Sequence, residues 1–152
     1  MLSLSVVVLT KNEEHNIESC LKSVSGWAEE IIVVDDESSD NTVAIARIYA
    51  HKIITRKTDV EGRQRNFAYA QAKNQWVLSL DADEAVTLQL KSEISKAIAS
   101  SEFVAFSIPL RNYISNYWVR HGGWYPAPKV RLFKKDKFRY EEAEVHPRVF
   151  ID

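Results

Sequence analysis

The chain is poor in cysteine, glycine and proline: one Cys, four Gly and four Pro in 152 residues. A single cysteine, Cys20, excludes a disulfide framework and a cysteine-based zinc site. The longest apolar runs, Val6–Leu9 and Ile31–Val34, fall far short of the ~18–20 residues that span a bilayer. No charged-then-apolar leader opens the chain; Leu2–Leu9 runs straight into Lys11, Glu13 and Glu14, so a cytoplasmic location is expected. There is no Gly-x-Gly-x-x-Gly, no Gly-x4-Gly-Lys-Ser/Thr and no Gly-x-Ser-x-Gly. A dinucleotide fingerprint, a P-loop and a nucleophile elbow are therefore absent. The four histidines (15, 51, 121 and 146) lack zinc-site spacing.

What is present is the composition of an ordinary globular protein, 45% apolar and 27% charged, at a length that suits one domain. The formal net charge of −1 hides an asymmetry. Residues 111–140 carry eight basic side chains against one acid, Asp136, and eight of the sixteen aromatics. Such polarity points to two surfaces with different partners. Nucleic-acid binding through the basic, aromatic stretch is disfavoured by the overall charge.

Strand-like apolar runs alternate with helical patterns over residues 2–100. Leu2–Leu9, Ile31–Val34, Lys52–Thr55 and Gln75–Leu80 read as strands. Asn12 reads as a helix N-cap, with Ile17, Leu21 and Val24 at helical spacing before Gly26. Ser38, Ser39 and Asp40 read as caps of a helix reaching about Ala50. Glu61–Lys73 reads as helical, and Thr87 caps a helix carrying Leu90, Ile94 and Ile98. Phe103–Pro109, Lys129–Lys134 and Glu144–Phe150 read as later strands. This alternation predicts an α/β fold with a central, mostly parallel sheet and flanking helices. A single domain over 1–152 is expected.

In open parallel sheets, ligands bind beyond the carboxyl ends of the strands. The polar clusters lie there: Thr10, Lys11 and Asn12; Asp35 and Asp36; Asp81, Asp83 and Glu84. In Leu78-Ser79-Leu80-Asp81-Ala82-Asp83-Glu84, two aspartates two residues apart can aim at one point once the strand bends away. Their mutual repulsion is relieved by a hard divalent cation, Mg²⁺ or Mn²⁺, which pairs with carboxylates and substrate phosphates. Asp35 or Asp36 can accept hydrogen bonds from a base or ribose. Gly62-Arg63-Gln64-Arg65-Asn66 opens a helix whose amides, with Arg63, can meet a phosphate or base edge.

Taken in order, Ser5–Glu14 (SVVVLTKNEE), Ile32–Thr42 (IVVDDESSDNT), Gly62–Ala68 (GRQRNFA) and Leu78–Glu84 (LSLDADE) resemble the family-2 glycosyltransferases of the GT-A fold. Gly122–Pro126, Val130–Phe133 and Val145-His146 extend the likeness toward the bacterial branch that includes lipopolysaccharide-core glucosyltransferases. The resemblance implies inverting transfer of a hexose from a nucleotide-diphosphate sugar, UDP-linked, onto a cell-envelope glycan or lipopolysaccharide-core acceptor. It implies that Thr10, Asn12 and Glu13 line the nucleoside pocket, that Asp35 or Asp36 holds uracil or ribose, and that Arg63 flanks base or phosphate. Asp81 would lie by the ribose and metal, with Asp83 the main ligand of Mg²⁺ or Mn²⁺. The metal would stabilise the leaving diphosphate.

Inverting displacement also needs a base. The resemblance places a carboxylate just after Val145-His146, where this chain has Pro147. Glu141, Glu142 and Glu144 lie upstream; Glu144 and Glu142 rank first, and in an extended strand both point to one face. Trp124, Tyr125 and His146 are candidate acceptor contacts, and the basic stretch suits peripheral contact with the inner membrane face. The resemblance implies a nucleotide-sugar-binding half at 1–100 and an acceptor-side half at 101–152; members of this branch usually run longer, so the acceptor side is expected to be truncated at the C-terminus. Two other readings compete: a truncated, non-catalytic nucleotide- or glycan-binding module, and a sugar nucleotidyltransferase. The second is weakened by a Val8–His15 loop without glycine.

Overall fold

A computed structural model describes residues 1–100, 102–143 and 148–152. Its main sheet has six strands: β1 (Leu2–Thr10), β2 (Ala28–Asp35), β3 (Lys52–Thr55), β4 (Trp76–Asp81), β5 (Ala105–Leu110) and β8 (Ala127–Lys134), in the order β3-β2-β1-β4-β8-β5. The pairs β2–β3, β1–β2 and β1–β4 are parallel. β8 runs antiparallel to both neighbours, so β5 points the same way as β4. Two short hairpins stand outside this sheet: β6 (Tyr113–Ile114) with β7 (Tyr117–Trp118), and β9 (Phe138–Tyr140) with β10 (Val149–Ile151). The expected α/β architecture with a mostly parallel sheet is what the structure has.

Both faces of the sheet are covered, which is why β1 is apolar at successive positions rather than alternately. Val6 and Val8 face a core shared with α1 (Ile17–Val24) and with Ile94 of α4 (Leu88–Ser100). Val7 faces the opposite core, with Val77, Tyr69 of α3 (Glu61–Ala70), Phe133 and Phe138. Phe133 and Phe138 stack at 3.8 Å, and Tyr69 meets Phe133 edge-on at 4.9 Å. α1 buries Ile17, Cys20, Leu21 and Val24, one stripe at helical spacing. Thr87 Oγ1 accepts the Leu90 amide at 3.2 Å, capping α4 as its sequence predicts.

Two sequence expectations differ from the structure. Asn12 is not a helix cap: α1 starts at Ile17, and Asn12 sits in the left-handed region at φ 52°. Asparagine tolerates that conformation because its short amide can bond locally, and here Asn12 Oδ1 accepts the Ser39 amide at 2.8 Å. The helix expected to reach Ala50 is α2 (Thr42–Ala46), five residues long. Beyond it the Ile48 and Tyr49 amides bond to carbonyls three residues back. The β-branched Thr42, Val43, Ile45 and Ile48 favour that early tightening.

Candidate active site

The carboxyl ends of β1, β2 and β4 open on a cleft of about 390 Å³. It is lined by Leu9 and Thr10 at the end of β1, Lys11 and Glu13 beyond it, Asp36 after β2 and Thr58 after β3. Glu61, Gln64 and Arg65 of α3, Asp81 at the end of β4, and Ala82 and Asp83 beyond it complete the lining. Parallel strands place three polar loops at one edge because every crossover returns to the opposite edge.

The loops after β1 and β2 are laced together. The Asn12 amide donates to Ser38 Oγ at 2.8 Å, the Glu13 amide to Thr42 Oγ1 at 2.7 Å, and the Glu14 amide to Asp40 Oδ2 at 3.1 Å. Lys11 Nζ pairs with Asp36 at 2.9 Å, and the Thr58 amide donates to Asp36 at 2.7 Å. Burial pushes the Asp36 carboxyl up, but the Thr58 amide and Lys11 outweigh it and hold it below the ordinary carboxylate range. Asp36 therefore faces the cleft as an anion. Asp35 is turned inward: one oxygen accepts the Ser38 amide at 3.1 Å, and the other is buried without a hydrogen-bond partner among the described residues. Thr10 Oγ1 is likewise buried and unpartnered at the cleft wall.

The acidic loop after β4 is held by two arginines. Arg65 donates to Asp81 Oδ1 at 3.2 Å, and Arg131 donates to Asp81 Oδ2 at 2.6 Å and also to Glu84. The Arg131 side chain is only 3% exposed. Burial raises the Asp81 carboxyl, yet Arg131 and Arg65 bring it below its ordinary value; burial keeps Glu84 above its own. Cys20, whose Sγ lies 3.8 Å from the Asp81 carbonyl, has its thiol pushed up to about 12 by burial and then by Glu84, Asp83 and Asp81. It is a packing group rather than a nucleophile. Asp83 is exposed and has no hydrogen bond or ion pair among the described residues.

These contacts sort the site residues expected from sequence. The structure brings Thr10, Glu13, Asp36, Asp81 and Asp83 to one cleft. Asn12 and Asp35 support that cleft from behind. Arg63 is not among the lining residues and instead pairs with Asp59 and, at 3.3 Å, with Glu142. Arg65, two positions on, is the arginine that lines the cleft.

The rest of the α3 motif grips the acidic segment after β9. Asn66 Nδ2 donates to the Tyr140 carbonyl at 2.9 Å, and the Tyr140 amide donates to Asn66 Oδ1 at 2.8 Å. A Cβ on Gly62 would lie 1.8 Å from the Glu141 carbonyl oxygen. That glycine is required by close backbone approach, not by its own torsion. Glu142 is exposed, while Glu144, His146 and Pro147 lie outside the described residues. Trp124 is half-exposed, and Tyr125 packs edge-on against Trp118 at 5.1 Å.

Arg131 was not singled out by sequence reasoning, because it sits among seven other basic residues. The available signal was its place in an apolar strand, between Val130 and Leu132, where a charge needs a partner.

No ring of three or more metal-binding side chains exists among the described residues. Among the described residues the cleft thus offers one free carboxylate, Asp83, beside the arginine-bound Asp81. That fits Mg²⁺ or Mn²⁺, which commonly use one or two carboxylates and complete their shell with substrate phosphates and water.

The model of the family described as glycosyl transferase family 2 matches residues 5–150. The chain belongs to that family. An uncharacterized glycosyltransferase of Rickettsia typhi is 38% identical over 113 residues, covering 72% of this chain and 39% of that protein. LpsC of Rhizobium meliloti, a lipopolysaccharide core biosynthesis glycosyltransferase, is 27% identical over 149 residues, covering 94% of this chain and 55% of LpsC. The chain thus spans about two-fifths to a little over half of these relatives. Among solved structures, a fragment of S. aureus TarS superposes with a TM-score of 0.66 at 19% identity, covering 93% of this chain and 51% of that one. That fragment has also been solved with UDP and with UDP-GlcNAc. The mannosyltransferase PcManGT of Pyrobaculum calidifontis, solved with GDP-Man and Mn²⁺, gives 0.61 at 22% identity, covering 72% of this chain and 36% of that one. At these identities the structures establish the shared GT-A glycosyltransferase fold. No helix among the described residues is long and apolar enough to cross a membrane.

Proposed function

We propose that this family-2 chain binds a nucleotide-diphosphate sugar in the cleft and transfers its hexose, with inversion, to a cell-envelope glycan acceptor. The observation that carries this reading is the meeting of Asp36, Arg65 and Asp83 at the carboxyl edge of a parallel sheet. Asp36 and the Thr10 hydroxyl offer hydrogen bonds to base and ribose. Lys11 and Arg65 supply positive charge for the diphosphate, and Asp83 is the carboxylate that would hold Mg²⁺ or Mn²⁺. When bound, such a cation stabilises the departing diphosphate as a Lewis acid. The arginine-held Asp81 fixes the loop that presents Asp83.

TarS supports a UDP donor, PcManGT a divalent cation, and LpsC a lipopolysaccharide-core acceptor, each through its own named ligand or role. The base comes from the acidic segment after β9: Glu142, paired with Arg63, or Glu144, which follows it in sequence. Trp124 and Tyr125 belong to the acceptor side, on the segment between β7 and β8.

The test is calorimetric titration of the chain with UDP, UDP-glucose, UDP-GlcNAc and GDP-mannose, each with Mn²⁺ and with EDTA. Binding of a UDP species that needs Mn²⁺, and that Asp83→Asn weakens at least tenfold while leaving the melting temperature near that of the parent, is expected. Binding indifferent to both EDTA and the substitution overturns the metal–diphosphate assignment.

A further inference from the structure

The basic, aromatic stretch separates in the structure into two populations. Arg131, Leu132, Phe133 and Phe138 are core residues. The remainder is half-buried or exposed, and its most exposed large apolar side chains are those of the β6–β7 hairpin. Tyr113, Ile114 and Tyr117 are 56%, 64% and 70% exposed, on a two-residue turn at Ser115-Asn116 in which Ser115 has φ 53°. Behind this tip, Trp118 lies within cation–π distance of Arg111 (4.9 Å) and Arg120 (4.4 Å). Those contacts hold both guanidinium groups beside the hairpin. From Phe103 to Lys135 there is not one acidic residue.

A solvated surface would not concentrate an isoleucine and two tyrosines at the tip of a hairpin outside the sheet. A glycan platform accounts for the aromatic rings but not for Ile114. A lipid interface accounts for all of them: aromatic rings sit at headgroup depth, an aliphatic side chain enters the acyl boundary, and arginines meet lipid phosphates.

We propose that the β6–β7 hairpin is a membrane-interface anchor that docks on anionic lipid. Tyr113, Ile114 and Tyr117 insert, and Arg111 and Arg120 bind the headgroup phosphates. The chain enters this hairpin from the end of β5, which points the same way as β4. The anchor therefore stands at the same sheet edge as the cleft. If the glycosyltransferase reading holds, it brings that cleft to a lipid-borne acceptor; lipid docking itself does not depend on that reading.

Co-sedimentation tests it. The chain is spun with vesicles of phosphatidylglycerol and phosphatidylcholine in equal amounts, and with vesicles of phosphatidylcholine alone. Preferential binding to the anionic vesicles, weakened by salt, is expected. Exchanging both arginines (Arg111→Glu with Arg120→Glu) should lower the partition coefficient roughly tenfold or more, from about 1 kcal/mol per basic residue near the surface. The triple tip variant Tyr113→Ser, Ile114→Ser, Tyr117→Ser should lower it comparably, while Lys96→Glu on α4 leaves it unchanged. The tip side chains are exposed, so unchanged melting of the triple variant separates loss of docking from loss of fold. Equal binding to neutral vesicles, no vesicle binding, or parent-like partition of the tip variant overturns the proposal. Retention on an anionic oligosaccharide without vesicle binding overturns it in favour of a glycan surface. Calorimetric binding of nucleotide by the same samples shows separately whether the donor reading stands.

Discussion

Arg131 places a charge where water scarcely reaches, and it is tolerated because Asp81 and Glu84 share it. Removing one member of such a buried set costs more than the set contributes, since the remaining charges lose their counter-ion without regaining solvent. Arg131→Met should therefore lower stability by about 3–5 kcal/mol in denaturant unfolding. Arg131→Lys should recover only part of this: Arg131 Nη2 meets both carboxylates, and an ammonium on a shorter stem reaches that point less well.

Asp36 makes a second prediction at the same scale. Its folded value lies below that of an unfolded aspartate, so its contribution is complete above the unfolded value and is lost as pH falls through the folded one. Thermal stability should thus decline below about pH 4, and Asp36→Asn should show a shallower decline than the parent over that range. Parallel melting curves for the two proteins would remove Asp36 from the acid transition.

At the scale of elements, α3 works on two sides. Gln64 and Arg65 face the cleft, while Gly62, Arg63 and Asn66 hold Tyr140–Ala143. One helical turn thereby ties the cleft to the acidic segment after β9. A methyl group at Gly62 must displace the Glu141 carbonyl, a cost of about 1–3 kcal/mol for overpacking. Gly62→Ala should accelerate amide exchange at Tyr140 and Glu141 in mass-spectrometric hydrogen exchange. Amides of β1, deep in the sheet, should change far less. This motif also shows where sequence reasoning reached its limit. Glycine and arginine opening a helix suggest a phosphate cradle, whereas glycine here makes room for the Glu141 backbone just after β9, and Arg63 pairs with Asp59 and Glu142. The partner segment lies more than seventy residues downstream, and no local pattern announces it.

For the whole molecule, β8 closes the design. It enters antiparallel beside β4, brings Arg131 to the acidic loop, and brings Phe133 into the core that holds Tyr69 of α3. Phe133→Ala should cost about 3–5 kcal/mol, and it should lower nucleotide affinity as well, since sheet and site share that strand. Urea unfolding and UDP titration on the same variant would measure both losses.

The strand–helix alternation, the polar strand ends and the Asp81/Asp83 pair were legible in the chain itself. They follow from local periodicity and from the rule that parallel sheets collect loops at one edge. Which carboxylates face the cleft, which arginine serves them and what Gly62 makes room for were decided only by tertiary structure. Those properties depend on pairings between residues from 16 apart (Arg65 with Asp81) to 79 apart (Arg63 with Glu142), where the energies come from burial and from charge neutralised in low dielectric. A one-dimensional pattern records which residues are available for such pairings but not which of them meet.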